Sequence, residues 1–127
     1  MLILLNREYS EANAIKSYLF QNNRALGFKK LIETKYKTLK TVEEYSRILG
    51  ISRVLLNNTT KTILGKSASQ MIKERILVEA KRQLLFSDKT LSEIAYELNF
   101  SEPSNFLRFF KKQAGISARK FRIELSK

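Results

Sequence analysis

The stretch that decides the fold is Thr90-Leu91-Ser92-Glu93-Ile94-Ala95-Tyr96-Glu97-Leu98-Asn99-Phe100-Ser101-Glu102-Pro103-Ser104-Asn105-Phe106-Leu107-Arg108-Phe109-Phe110-Lys111-Lys112. It opens on a capping box: Thr90 sits at an N-cap position with Glu93 three residues later. Ala95 is small enough for a second helix to cross closely, and Asn99, after glycine, is the residue most tolerant of the positive φ a tight turn demands. Phe100 follows as an apolar plug. Ser101 is the expected N-cap of the next helix, with Pro103 in its first turn, where a missing N–H costs nothing. Phe106 and Phe110, four apart, share one face. The pattern predicts a short helix, a turn and a longer helix.

The pattern occurs twice. Thr41, Val42, Glu44, Tyr45, Ser46, Leu49 and Ser52 correspond to Thr90, Leu91, Glu93, Ile94, Ala95, Leu98 and Ser101 at an offset of 49. Leu56, Lys61, Gly65 and Ser67 correspond to Phe106, Lys111, Gly115 and Ser117 at an offset of 50. Gly50 and Ile51 take the places of Asn99 and Phe100, while Thr60 stands where the second copy has Phe110. Two copies are too few for a solenoid and read as tandem modules.

Thr41 with Glu44 and Ser67 with Gln70 are further capping boxes, Ser52 and Ser117 simple N-caps, and Gly65 and Gly115 left-handed C-caps. Helices are predicted near 42–49, 53–64, 68–86, 91–98, 102–114 and 118–126, with an amphipathic one over 24–36. Met1 to Tyr9 reads as the end of another helix with an exposed apolar face. Ile72, Ile76, Ala80 and Leu84 stand at i, i+4 spacing with no Gly or Pro from Ser67 to Phe86, so that stretch is one helix of about 30 Å. Glu74, Arg75, Glu79 and Arg82 read as its solvated ion-pair face. The chain is all-α: two helix-turn-helix subdomains joined by a long linker helix, a homeodomain-like tandem.

Composition narrows the chemistry. In 127 residues, 24 Lys+Arg stand against 12 Asp+Glu, a formal net charge of +12 that favours an anionic partner. There is no Cys and no His, which removes disulfides, thiolate zinc sites, cysteine nucleophiles and histidine acid–base catalysis. No phosphoryl-transfer loop, metal cluster or paired-carboxylate site is visible, so neither an enzyme nor a cofactor is expected. The longest apolar run, Leu2 to Leu5, is too short to cross a bilayer and no basic stretch precedes it. The expectation is a cytoplasmic protein with no membrane partner.

Residues from about Arg24 to Lys127 resemble the C-terminal DNA-binding domain of AraC/XylS-type transcriptional regulators. The resemblance rests on an "E-I-A" helix (Glu93 to Ala95), the turn at Asn99-Phe100, an "F-x-R-x-F-K-K" helix (Phe106 to Lys112), and a closing Gly115, Ser117 and Phe121-Arg122. Asn99 replaces the family's turn glycine and Ala118 the proline after Ser117. It implies residues 24–66 as a first helix-turn-helix subdomain, 67–86 as linker helix and 87–127 as a second subdomain. Residues 1–23 are then an N-terminal helical segment or the remnant of a preceding domain. An effector-binding or dimerisation domain usually precedes this one, and the abrupt apolar start favours a fragment of a longer regulator.

A recognition helix offers its N-terminal outward residues to base edges and the rest of that face to phosphates. In the second module Pro103, Ser104, Leu107 and Arg108 match the family's base-facing positions. Arg108 suits guanine O6/N7 and Leu107 a thymine methyl; an internal salt bridge is the competing role for Arg108. In the first module the outward face is Arg53, Val54, Asn57, Asn58 and Lys61, with either asparagine suited to adenine. Lys61, Lys66, Lys111, Lys112, Arg119 and Lys120 are phosphate candidates, joined by helix N-termini at Ser52, Ser67, Ser101 and Ser117. A lysine merely solvated would look the same.

The leading expectation is therefore sequence-specific binding of a double-stranded DNA operator by two modules in successive major grooves. The linker length is close to one turn of B-DNA, roughly 34 Å. Transcription would be regulated, with RNA polymerase as a further partner. The alternative is a non-specific RNA or single-strand binder, which needs exposed aromatics on a basic surface; Tyr9, Tyr18 and Phe20 are left open. A basic membrane-surface or protein-interaction module ranks last.

Overall fold

The computed structural model describes residues 2–125, with side chains from Ser10 onward. Every element among them is a helix: α1 (Leu2–Lys35), α2 (Val42–Leu49), α3 (Arg53–Leu64), α4 (Ala68–Phe86), α5 (Leu91–Glu97), α6 (Pro103–Ala114) and α7 (Ala118–Leu125). Where two N-terminal helices were expected there is one, unbroken through residues 23 and 24. No proline interrupts it, and Gly27 is accommodated within it. Its packing does change there: residues 10 to 20 are exposed, whereas Ala25, Phe28 and Ile32 are buried. The apolar face expected over Met1 to Tyr9 lies outside the described side chains.

Helices α1, α2 and α3 pack on one another, α6 packs on α5 and α7, and α4 touches all six. At 19 residues α4 is about 28 Å long. Ile72, Ile76, Ala80 and Leu84 line its buried side. One apolar cluster runs through both modules, from Phe28, Tyr45 and Leu56 to Ile94, Phe106, Phe110 and Phe121.

The repeat is structural. In the first turn Gly50 N–H donates to Arg47 O at 3.3 Å and Ile51 N–H to Ser46 O at 3.1 Å. In the second, Asn99 N–H donates to Tyr96 O at 3.0 Å and Phe100 N–H to Ala95 O at 2.9 Å. Gly50 and Asn99 both have positive φ, 69° and 62°. Ser46 and Ala95 are buried at the crossings, and Leu56 and Thr60 occupy the buried places of Phe106 and Phe110. Thr60 meets that burial by donating its hydroxyl to Asn57 O at 3.1 Å.

Three caps differ from the sequence reading. Only Thr90 and Glu93 form the reciprocal box. Thr41 accepts the Glu44 N–H, but its hydroxyl donates to the Glu44 carboxylate at 2.8 Å, leaving that side chain turned from the backbone. Ser67 caps Gln70 N–H while the Gln70 side chain reaches Glu74. The N-cap of α6 is Glu102, not Ser101, with φ −143° and ψ 148°. Proline bars the preceding residue from helical geometry, so Pro103 holds Glu102 extended and starts the helix one residue later.

Of the expected solvated ion-pair face of α4, Arg82 and Glu74 stay accessible and paired, Arg75 is half-buried and Glu79 is buried. Glu79 is 4% exposed, held by Arg82 at 2.6 and 2.9 Å and by Gln83 at 3.2 Å. The Arg82 hydrogen bond holds its carboxyl at about 2, well below the usual carboxylate range. Arg75 reaches α1, donating to Glu33 at 3.1 Å with its guanidinium 4.2 Å from the Tyr36 ring centroid.

Candidate DNA interface

Helix α6 is held by aromatic packing on one side and open on the other. Phe106 and Phe110 are fully buried, and their rings contact Phe100 and Phe121 respectively at centroid distances of 5.5 and 5.4 Å. That fixes which residues face outward. Ser104, Leu107, Arg108, Lys111 and Lys112 are exposed and Pro103 is half-buried at N1. Arg108 makes no internal ion pair among the described residues. Its Nη2 donates to Asn105 Oδ1 at 2.8 Å, one turn back along the same helix. Asn105 in turn donates to Ser101 Oγ at 2.8 Å, so the guanidinium is steered from the helix start without being neutralised. Sequence reasoning missed Asn105; its i, i+3 spacing from Arg108 was the available signal.

The open side of α6 forms a cleft of about 530 Å³, lined by Leu91, Ser104, Leu107, Arg108, Lys111, Ser117, Ala118 and Arg119. Its walls are the α5 N-terminus, α6 and the α7 N-terminus. It holds three cationic side chains and no carboxylate. Ser117 caps α7 by accepting the Lys120 N–H at 3.1 Å, and Ala118, in the place of the usual proline, is fully buried.

The first module carries the corresponding cleft, about 600 Å³, lined by Lys40, Thr41, Val42, Glu43, Arg53, Asn57 and Ser69. Val42, Asn57 and Ser69 sit at the repeat positions of Leu91, Leu107 and Arg119. Arg53 is ion-paired with Glu43 at 3.2 Å, both well exposed, and Val54, Asn58 and Lys61 are exposed. Asn57 lines this cleft but is less free than its outward neighbours. It is half-buried, and its Oδ1 accepts the Ala68 N–H at 3.0 Å, capping α4. One lone pair of the oxygen that bidentate adenine pairing needs is already engaged, and the hydrogen bond fixes the direction of the amide.

Of the phosphate candidates, Lys61, Lys111, Lys112 and Arg119 are exposed with no ion pair among the described residues. Lys66 pairs with Glu74 at 2.8 Å and Lys120 approaches Glu124 at 3.9 Å. Ser52 and Ser67 cap their helices as expected, by accepting the Leu55 and Gln70 N–H groups. Ser101 does not cap α6; the N-cap there is Glu102, whose exposed side chain makes no capping hydrogen bond. Arg122 closes the second module from behind, donating to Leu84 O at 3.0 Å and Ser87 O at 3.2 Å at the end of α4.

A family model described as a helix-turn-helix domain matches residues 45–123, which spans both turns and the linker helix. The chain belongs to the AraC-type helix-turn-helix family. It is a family of DNA-binding transcriptional regulators. The chain is 30% identical over 122 residues to the HTH-type transcriptional regulator YobQ of Bacillus subtilis (strain 168), covering 96% of this chain and 44% of that protein. The C-terminal domain of AraT, a response regulator from Geobacillus stearothermophilus, has a TM-score of 0.72 at 25% identity, covering 78% of this chain and 83% of that one. The DNA-binding domain of AdpA, solved in complex with a target DNA, shares the fold at a TM-score of 0.63 and 22% identity, covering 73% of this chain and 83% of that one. Within this AraC-type domain, no helix among the described residues is long and apolar enough to cross a membrane.

Proposed function

We propose that this chain binds a duplex DNA operator sequence-specifically, with α3 and α6 in successive major grooves, and so regulates transcription. Residues 24–66 and 87–127 are the two binding units, and 67–86 is the connector that spaces them. The observation that carries the reading is the pair of clefts at repeat-equivalent positions, each walled by two helix N-termini and an outward recognition helix. AdpA's complex with DNA supports the same use of this fold.

In this reading Pro103, Ser104, Leu107 and Arg108 meet bases in one groove, and Arg53, Val54 and Asn58 meet them in the other. Lys61, Lys66, Ser67, Lys111, Lys112, Ser117, Arg119 and Lys120 hold phosphates. The Arg53–Glu43 and Lys66–Glu74 pairs are exposed enough to yield to DNA, since such pairs are worth about 0–1 kcal/mol. RNA polymerase is a further partner. The chain spans under half of YobQ, and an effector-binding or dimerising part elsewhere in the regulator belongs to this reading.

The RNA or single-strand alternative finds no stacking platform in the two clefts. Tyr18, Phe20, Phe86 and Tyr96 are exposed, but no aromatic ring lines either cleft. Selection of sites from random duplex DNA tests the proposal. Two recurrent elements about 10.5 base pairs apart are expected. A single element would leave the first module without a reading role, and none would return the protein to non-specific binding.

A further inference from the structure

The two modules meet away from the linker helix. Residues 36–41 connect α1 to α2 in the first module, and Lys37 and Lys40 of that connection lie against the turn of the second. Asn99 Nδ2 donates to the backbone carbonyl of Lys37 at 2.7 Å, across 62 residues of sequence. The Lys37 ammonium is 3.7 Å from Glu97, which also pairs with Lys89. Lys40 Nζ stands 3.5 Å from the centroid of Phe100. Phe100 in turn packs on Phe106 and Phe109 of the recognition helix, at 5.5 and 5.4 Å.

Helices α1, α2 and α3 otherwise pack among themselves and on α4, and α5, α6 and α7 do the same. Packing of both bodies on the one rod limits their relative rotation and leaves rocking against the rod, or bending of it, as the remaining freedom. A contact off the rod's axis removes that freedom, and this clasp is such a contact, rooted at the base of α6. Asn99 fills two demands with one side chain: it accepts the positive φ of the turn and supplies an amide donor, which glycine at that place lacks. We propose that Asn99 is a positioning residue that fixes the angle between the two recognition helices, and so sets which spacing of operator half-elements the protein accepts. The spacing role rests on the tandem-groove reading above; the clasp itself does not.

The test uses Asn99→Gly, which keeps the turn and deletes the donor, and Asn99→Asp, which keeps size and tolerance of the left-handed region but cannot donate. The chain has no cysteine, so spin labels at Thr62→Cys and Lys112→Cys, exposed repeat-equivalent sites on α3 and α6, report the distance between modules without DNA. Both Asn99 variants are expected to broaden the distance distribution while each module stays folded by circular dichroism. Anisotropy then compares the selected operator with versions carrying one base pair more or less between the elements. The preference for the native spacing is expected to fall by about three- to tenfold, the range one hydrogen bond confers. An unchanged distance distribution overturns the clasp. Broadening with an unaltered spacing preference overturns the specificity role. Selection of only one element overturns the tandem reading and the spacing role with it, an outcome distinct from two elements with equal spacing profiles in wild type and variants.

Discussion

The side-chain oxygen of Asn57 accepts the backbone N–H of Ala68 at 3.0 Å, so the second helix of the first module caps the linker helix. Ser67 Oγ satisfies Gln70 N–H beside it, and two of the four amides left open at the start of α4 are thereby paired from within the chain. Asn57→Ala is expected to lower unfolding free energy by about 1 kcal/mol. Asn57→Asp keeps the acceptor and is expected to retain most of it. Urea denaturation reads both. Site selection with Asn57→Ala should return the wild-type base preferences, and altered preferences in the first element would make Asn57 a reader as well as a cap.

Arg108 is exposed and steered by Asn105 at 2.8 Å. Arg108→Ala is expected to cost about 1–3 kcal/mol on the selected operator and to spare binding to unrelated duplex. Asn105→Ala leaves the charge but frees the guanidinium, so its loss should be smaller and in the same direction. Anisotropy titrations on both duplexes decide it; equal operator affinity for Arg108→Ala and wild type removes Arg108 from the readers.

Lys111 lines the same cleft with no ion pair among the described residues. Contact with a phosphate carries no sequence information. Lys111→Ala should therefore weaken every duplex by a similar factor and reduce the slope of log affinity against log salt by about one. A loss confined to one sequence would instead mark it as a base contact.

The fold was legible because its punctuation is local. Thr90 with Glu93, Gly65 and Gly115, and Asn99 act within a few residues of themselves, and each stands where the sequence placed it. Residues whose partners are distant in sequence were not legible. Asn57 has an exposed residue's chemistry and a repeat position on the outward face, yet Ala68 claims it. Glu79 looked like one of several surface charges until α4 was packed. Lys37 and Lys40 counted toward a basic stretch, and nothing local shows that they face Glu97 and Phe100 some sixty residues on. The expected helix break between Tyr9 and Arg24 failed for the opposite reason, because a change in burial along one helix resembles a boundary in sequence.

Lys40 gives a prediction whose sign depends on pH. Its Nζ is buried without a hydrogen-bond partner, and burial pushes the ammonium from 10.5 down to about 8. The Phe100 face at 3.5 Å works the other way, favouring the cation, so burial is the larger effect. Below pH 8 the amine is charged in folded and unfolded chains alike, and folding bears its full desolvation. Between pH 8 and 10.5 the folded amine is neutral while the unfolded one still binds a proton, so stability from this site rises with pH. Lys40→Met removes the charge and keeps an apolar contact for Phe100. It is expected to be more stable than wild type at pH 7 by about 1 kcal/mol, discounted for the half-exposed site. That advantage should shrink as pH climbs from 8 to 10, since wild type sheds its burden over the same window. Urea denaturation of both proteins at pH 7 and pH 10 measures the two differences, and contributions from the other lysines and tyrosines cancel in the comparison. A gap that stays constant across the window, or a variant less stable at pH 7, would mean that the ammonium is held by Phe100 more strongly than burial disfavours it.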